Sequence, residues 1–108
     1  MPEPYEIRFT TRASDDLTSI CSYIERDSAQ NAASVARRLI EAIDSLVSLP
    51  HRYRIHEHRR DPAKTVHAMP VPPFIVYYRV LDRRLTVEIV AVRHSRRRQP
   101  QRFREPSP

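Results

Sequence analysis

Residues 28 to 50 read Ser-Ala-Gln-Asn-Ala-Ala-Ser-Val-Ala-Arg-Arg-Leu-Ile-Glu-Ala-Ile-Asp-Ser-Leu-Val-Ser-Leu-Pro. Ala32, Val35, Ala36, Leu39, Ile40, Ile43, Leu46 and Val47 recur at intervals of three and four, so they fall on one face of an α-helix and must be covered by something. Ser28 suits the N-cap, where its hydroxyl accepts from an orphan backbone N–H of the first turn. Pro50 disfavours the α conformation at Leu49 and ends the helix. An amphipathic helix of this length needs a partner layer, and the flanking sequence shows what it is.

Upstream, Ala13, Leu17, Ile20, Cys21 and Ile24 share helical spacing and predict a first helix running to about Asp27. Thr11 or Ser14 is the expected cap, with Asp15 and Asp16 near the positive end of the helix dipole. Only a few residues separate the two helices, so an antiparallel hairpin with one apolar seam is expected. Before them, Tyr5, Ile7 and Phe9 alternate with Glu6, Arg8 and Thr10, the period of a half-buried strand.

Downstream, His51 to Pro62 has no period and reads as a surface loop rich in Arg and His. Three β segments follow: Lys64 to Met69, Phe74 to Leu81 and Leu85 to Arg93. Pro70, Pro72 and Pro73 separate the first two, and Asp82-Arg83-Arg84 supplies the second turn. The chain has no glycine, so a turn position with positive φ is expected to fall to Asp or Asn, with Asp82 foremost. After His94, arginines and prolines dominate and a mostly unstructured tail is expected.

The length of 108 residues suits one domain with its own core. No apolar run approaches the ~20 residues of a membrane span, and Met1-Pro2-Glu3-Pro4 lacks the features of a signal peptide, so the expected compartment is the cytoplasm. Lone Cys21 has no internal disulfide partner and reads as packing. The net charge of +6 is unevenly spread. Residues 1–49 hold five Arg against eight Asp and Glu, residues 50–92 eight basic against four acidic, and residues 93–108 six Arg against Glu105 alone. The basic half suits nucleic acid or an acidic protein surface.

Without glycine there can be no phosphate-cradling P-loop or dinucleotide fingerprint. No Ser sits in a nucleophile elbow. His56 and His58 lack a third ligand at metal-binding spacing, so neither metal nor cofactor is expected. More suggestive are Arg52, Arg54, Arg59, Arg60 and Lys64 of the loop with Arg79 and Arg93 of the strands. Guanidinium forks bind phosphates bidentately, and Tyr77, Tyr78 or His94 could move a proton. Against this stands the plainer reading of solvated arginines and a packed tyrosine.

The order of elements, together with four runs of residues, carries a family resemblance. The runs are Ala13-x-x-Asp16-Leu17-x-x-Ile20-x-x-Tyr23-Ile24, Ala36-x-x-Leu39-x-x-Ala42-Ile43-x-x-Leu46, Pro73-Phe74-Ile75-Val76-Tyr77-Tyr78-Arg79-Val80, and Val87-x-Ile89-x-x-Val92-x-His94-x-Arg96-Arg97. They resemble the RelE/ParE superfamily of toxins from type II toxin-antitoxin systems, ParE-like more than RelE-like. The resemblance implies an α+β fold, β-α-α-β-β-β, with a helical hairpin packed on a small antiparallel sheet. The toxin domain would span residues 1–97, and 98–108 would be a flexible basic tail.

The resemblance also implies two alternative activities. A ParE-like member inhibits growth by binding DNA gyrase and is not an enzyme. A RelE-like member is a metal-independent endoribonuclease acting on mRNA in the ribosome. For this chain a nuclease set would be Arg59, Arg79, Arg93, His94 and Tyr77, and Ser95 stands where one kind of nuclease carries a tyrosine after its histidine. The non-enzymatic reading assigns target or antitoxin contact to Arg93, His94, Arg96 and Arg97. Either way a cognate antitoxin is implied, a ribbon-helix-helix or similar DNA-binding protein with a flexible tail, seated on the helices at Leu17, Ile24, Leu39 and Ile43.

Overall fold

A computed structural model describes residues 4–96 and 99–103. Strand β1 (Glu6–Phe9) leads into helices α1 (Thr11–Glu25) and α2 (Ala29–Asp44); strands β2 (Ile55–Glu57), β3 (Val66–Val71), β4 (Phe74–Leu81) and β5 (Thr86–His94) follow. The sheet order is β1-β5-β4-β3-β2, with β1 parallel to β5 and every other pairing antiparallel. The architecture is two helices on one mixed five-stranded sheet, so the α+β expectation holds.

Several local expectations change. The cap of α1 is Thr10, one residue before the candidates, and its hydroxyl accepts from Ala13 N–H at 3.0 Å. The same hydroxyl donates to Val90 O at 2.9 Å. Asp16, expected to act on the helix dipole, accepts from Val92 N–H at 2.9 Å instead. The β1 pairing ends at Phe9 and Ile89, so Thr10 and Asp16 take over with side-chain atoms where the ladder stops, and β5 keeps its bonds. Ser28 caps α2 as expected, accepting from Asn31 N–H.

The stretch read as loop contains β2, which pairs with β3. Pro70 lies inside β3, past the residues that β2 pairs, where β3 is an edge strand and tolerates proline. The positive φ falls on Leu85 (φ 48°, ψ 48°), not Asp82. Leu85 is held there by its N–H to Asp82 O and by its carbonyl, which accepts from Glu6 N–H. The Asp82 carboxylate serves elsewhere, accepting from Tyr5 Oη at 2.6 Å and lying 2.9 Å from His51 Nε2. The Tyr5 bond holds the Asp82 carboxyl below its usual range.

The helices cover one face of the sheet. Leu39, Ile43 and Leu46 pack with Met69, Phe74, Val76, Tyr78, Val80, Val87, Ile89 and Val92, and Leu17, Ile20 and Ile24 of α1 close the side. Each fully buried Leu or Ile contributes about 1.5–3 kcal/mol. Tyr78 is buried to the hydroxyl, which donates to Pro50 O at 2.8 Å, and burial pushes its pKa up to about 12. A second, smaller core lies on the opposite face: Val66, Ala68, Tyr77, Val90, Ala91 and Phe103. No helix is long and apolar enough to cross a membrane among the described residues.

Candidate functional site

Strand alternation decides which side chains share the face away from the helices. In β4 the residues Phe74, Val76, Tyr78 and Val80 belong to the helix-side core, which leaves Ile75, Tyr77 and Arg79 on the open face. In β5, Arg93 is opposite Ile75, Ala91 opposite Tyr77 and Glu88 opposite Arg79. A bulge at Val90, between the pairs Tyr77–Ala91 and Tyr78–Ile89, puts Val90 and Ala91 into the same cluster. Arg8 of β1 is in register with Glu88, so the face carries the row Arg8, Glu88, Arg79.

The basic groups of this face are matched by acids that sequence reasoning passed over. Arg59 donates through Nε to Glu57 Oε1 at 2.6 Å. Arg79 is 2% exposed, with Nη1 3.6 Å from Glu88 Oε1 and Nε 3.5 Å from Lys64 O. Burial pushes the Arg79 pKa down, while Glu88 and Glu57 oppose that shift, and an arginine remains charged throughout. Glu88 can be assigned to the face of Arg93 only once the bulge is known, because simple alternation puts positions 88 and 93 on opposite sides. Glu57 sits in a segment whose strand character the sequence concealed.

Residues 98–108, expected as a flexible tail, divide. Gln99–Phe103 lie across the open face, and 98 and 104–108 fall outside the described residues. Tyr77 Oη donates to Gln99 Oε1 at 2.8 Å, and Gln99 Nε2 donates to His94 O at 2.8 Å. His56 Nε2 is 2.7 Å from Pro100 O, and Phe103 N–H donates to Glu57 Oε2 at 2.9 Å. The Phe103 ring is buried, 4.9 Å from the Tyr77 ring, with the Arg12 guanidinium 5.2 Å from its own centroid. Burial raises the Tyr77 pKa, and nearby Arg93 only partly opposes it. The sole hint in the sequence was one aromatic residue in an otherwise polar tail.

Of the candidate nuclease residues, Tyr77, Arg79, Arg93 and Arg59 belong to the open face. His94 does not. It follows Arg93 in the strand, so it points to the other side, where it meets the Phe74 ring edge-on at 5.5 Å. Its Nδ1 accepts from Arg96 N–H at 3.1 Å. His94 and Arg96 line a groove of about 840 Å³ against α1, with Asp16, Tyr23, Val35 and Phe74, and Arg93 contributes to its lining as well. Arg97 lies outside the described residues.

The four hairpin candidates divide as well. Leu39 and Ile43 are 1% and 2% exposed and are used up in the core, so they have no surface to offer a partner. Leu17 and Ile24 are half-buried at its margin. The apolar side chains that the hairpin does present are Tyr23 and Ile40, 70% and 56% exposed, which the helical stripe alone could not single out.

The fold and this distribution of charge define a small two-helix, five-strand protein with a basic open face, and comparison with known proteins places it. Residues 7–99 match the family described as ParE toxin of type II toxin-antitoxin system, parDE. Toxin RelE2 of Caulobacter vibrioides is 37% identical over 92 residues, which span 85% of this chain and 97% of that protein. In the toxin-antitoxin complex RelBE2 from Mycobacterium tuberculosis, one chain superposes with a TM-score of 0.59 at 28% identity, covering 87% of this chain and 94% of its own. A chain of the chromosomal ParDE system from P. aeruginosa shares the fold, with a TM-score of 0.65 at 17% identity over 86% of this chain and 98% of its own. The chain belongs to the ParE toxin family, within the RelE/ParE superfamily.

Proposed function

We propose that the protein is a ParE-like toxin that inhibits growth by binding DNA gyrase and is neutralised by a cognate antitoxin. The observation that carries the non-enzymatic reading is the separation of His94 from Tyr77 and Arg79 by the thickness of the sheet. Proton transfer needs the acid or base within hydrogen-bond reach of the groups that hold the phosphate, and these side chains face apart. Tyr77 alone is a poor substitute, because its hydroxyl is committed to Gln99 and its pKa is raised by burial. Arg59 and Arg79 are engaged by Glu57 and Glu88, which weakens their claim on an RNA phosphate.

The antitoxin reading follows from the family, and the exposed Tyr23 and Ile40 of the hairpin suit its seat. Solved relatives include toxin-antitoxin complexes. His94 and Arg96, at the groove beside α1, are the groups best placed to contact either gyrase or the antitoxin. The test is a pair of assays on purified toxin. It should block gyrase supercoiling and leave mRNA on programmed ribosomes intact; cleavage of A-site mRNA would overturn the reading.

The alternative, a RelE-like ribonuclease, draws support from the relative named RelE2 and from Arg59, Tyr77, Arg79 and Arg93 sharing one face. On that reading Tyr77→Phe abolishes RNA cleavage while antitoxin binding survives.

A further inference from the structure

Helix α2 turns one apolar face to the sheet, and the face it turns away is ordered too. Ala33, Arg37, Ile40 and Asp44 recur at intervals of four, three and four, so they form one stripe about three turns long, and all four are exposed. Ile40, at its centre, is 56% exposed. Arg37 and Asp44 stand one turn to either side of it, and neither has a side-chain partner among the described residues. The adjacent Arg38 is used differently: its guanidinium donates to Pro72 O at 3.0 Å, across to the turn between β3 and β4.

A stripe that runs cation, apolar, anion complements itself. When two such helices lie antiparallel about a twofold axis at Ile40, the second copy reverses the order, and Arg37 of each comes level with Asp44 of the other. A parallel pair would instead set Arg37 on Arg37 and Asp44 on Asp44. In the antiparallel pair the two Arg37 are separated by about 9 Å along the helices, beyond a Debye length of about 8 Å, while the opposite charges lie side by side. The exposed Glu41 brings a second carboxylate near each Arg37. The two Ile40 meet at the axis, and Ala33 is small enough to let the helices approach to about 8–10 Å. We propose that the protein self-associates through this stripe, as a weak antiparallel dimer of α2 on α2. The contact is smaller than the roughly 1,000 Å² of a stable interface, and the net charge of +6 on each chain opposes it, so the dimer forms only at high toxin concentration. It covers Ile40. On the antitoxin reading given above, Ile40 also belongs to the antitoxin seat, so self-association and antitoxin binding exclude one another.

The test is sedimentation velocity on the full chain without antitoxin. The native chain should pass from monomer to dimer with a midpoint of about 50 µM. Arg37→Glu and Asp44→Arg should each weaken association at least tenfold, because each sets like charges opposite one another at both contacts. An equimolar mixture of the two variants should dimerise again, since both contacts between unlike copies then join opposite charges. Both variants stay net positive, so that recovery does not come from a general attraction between them. Ile40→Ser should also weaken association at least tenfold. All three positions are exposed, and thermal melts of the variants should match the native chain. A native chain that is monomeric at about 200 µM overturns the proposal and leaves the face to a different protein. So does a dimer that persists in Arg37→Glu, or a mixture that associates no better than either variant alone.

Discussion

The two faces of the sheet are built by different means. The helix side is covered by two capped helices and closed by aliphatic side chains from both helices and three strands. The other side is covered by five residues of chain, one buried aromatic ring and a set of hydrogen bonds to Glu57, His56 and Tyr77. Apolar burial on the first face is non-directional and additive in area, so it stabilises the fold as a whole. On the second face, buried charges in opposite pairs hold their places, and such pairs give position more than stability. One face therefore holds the fold by burial of apolar area, and the other is covered by a short segment of chain held in place by hydrogen bonds.

That contrast can be broken by substitution. Leu39→Ala should have the largest effect, lowering stability by about 4 kcal/mol, because a side chain 1% exposed leaves a cavity at the centre of the helix-side core. Chemical denaturation would show a shifted midpoint and one cooperative transition; a loss under 1 kcal/mol would mean that the helix layer is not what holds the domain.

Glu88→Ala should cost less, about 3 kcal/mol, by stranding the buried Arg79 guanidinium. Replacing both members, Arg79→Met with Glu88→Leu, should recover most of that loss. If the double variant is no better than Glu88→Ala, the pair contributes net stability and the contrast between faces weakens.

The smallest expected effect is on pH dependence. His67 stacks on Tyr78 at 5.2 Å, and its Nδ1 lies 3.1 Å from Tyr53 O. Burial lowers its pKa, with His51 adding to the shift, and the Tyr53 carbonyl and Asp82 opposing it. The unfolded imidazole takes a proton near pH 6.5 and the folded one resists, so the unfolded state binds more protons. Stability should therefore be complete above about pH 6.5 and decline as pH falls through the lower folded value. His67→Phe should flatten that part of the profile measured by thermal melts; an unchanged slope would remove His67 as its source.

Much of the helix side was legible because its signals are local. Ser28, the stripe from Ala32 to Val47 and Pro50 describe α2 with no knowledge of what lies above it. The alternation of Tyr5, Ile7 and Phe9 describes β1, though not that it pairs in parallel with β5. Asp16 shows the limit. Its place in the first turns suggested a dipole partner, while its actual bond is to Val92 N–H, 76 positions away, where the β1 ladder ends. A similar gap separates Asp82 from Leu85, because two backbone bonds from other parts of the chain hold a leucine in the left-handed region.

The sequence by itself determined the layers of this protein: which helix faces are apolar, where the strands run, and that the basic charge belongs to the sheet half and the end of the chain. These follow from periodicity and composition, which act over a few residues. Only the tertiary structure decided that the His94 ring meets Phe74 on the helix side and not Tyr77 and Arg79, that Glu57 and Glu88 engage the arginines, and that Phe103 closes the open side. The reason is physical. Pleat and bulge set side-chain direction only once register is known, and a charge finds its counterion by distance in space, which short spacings along the chain do not encode.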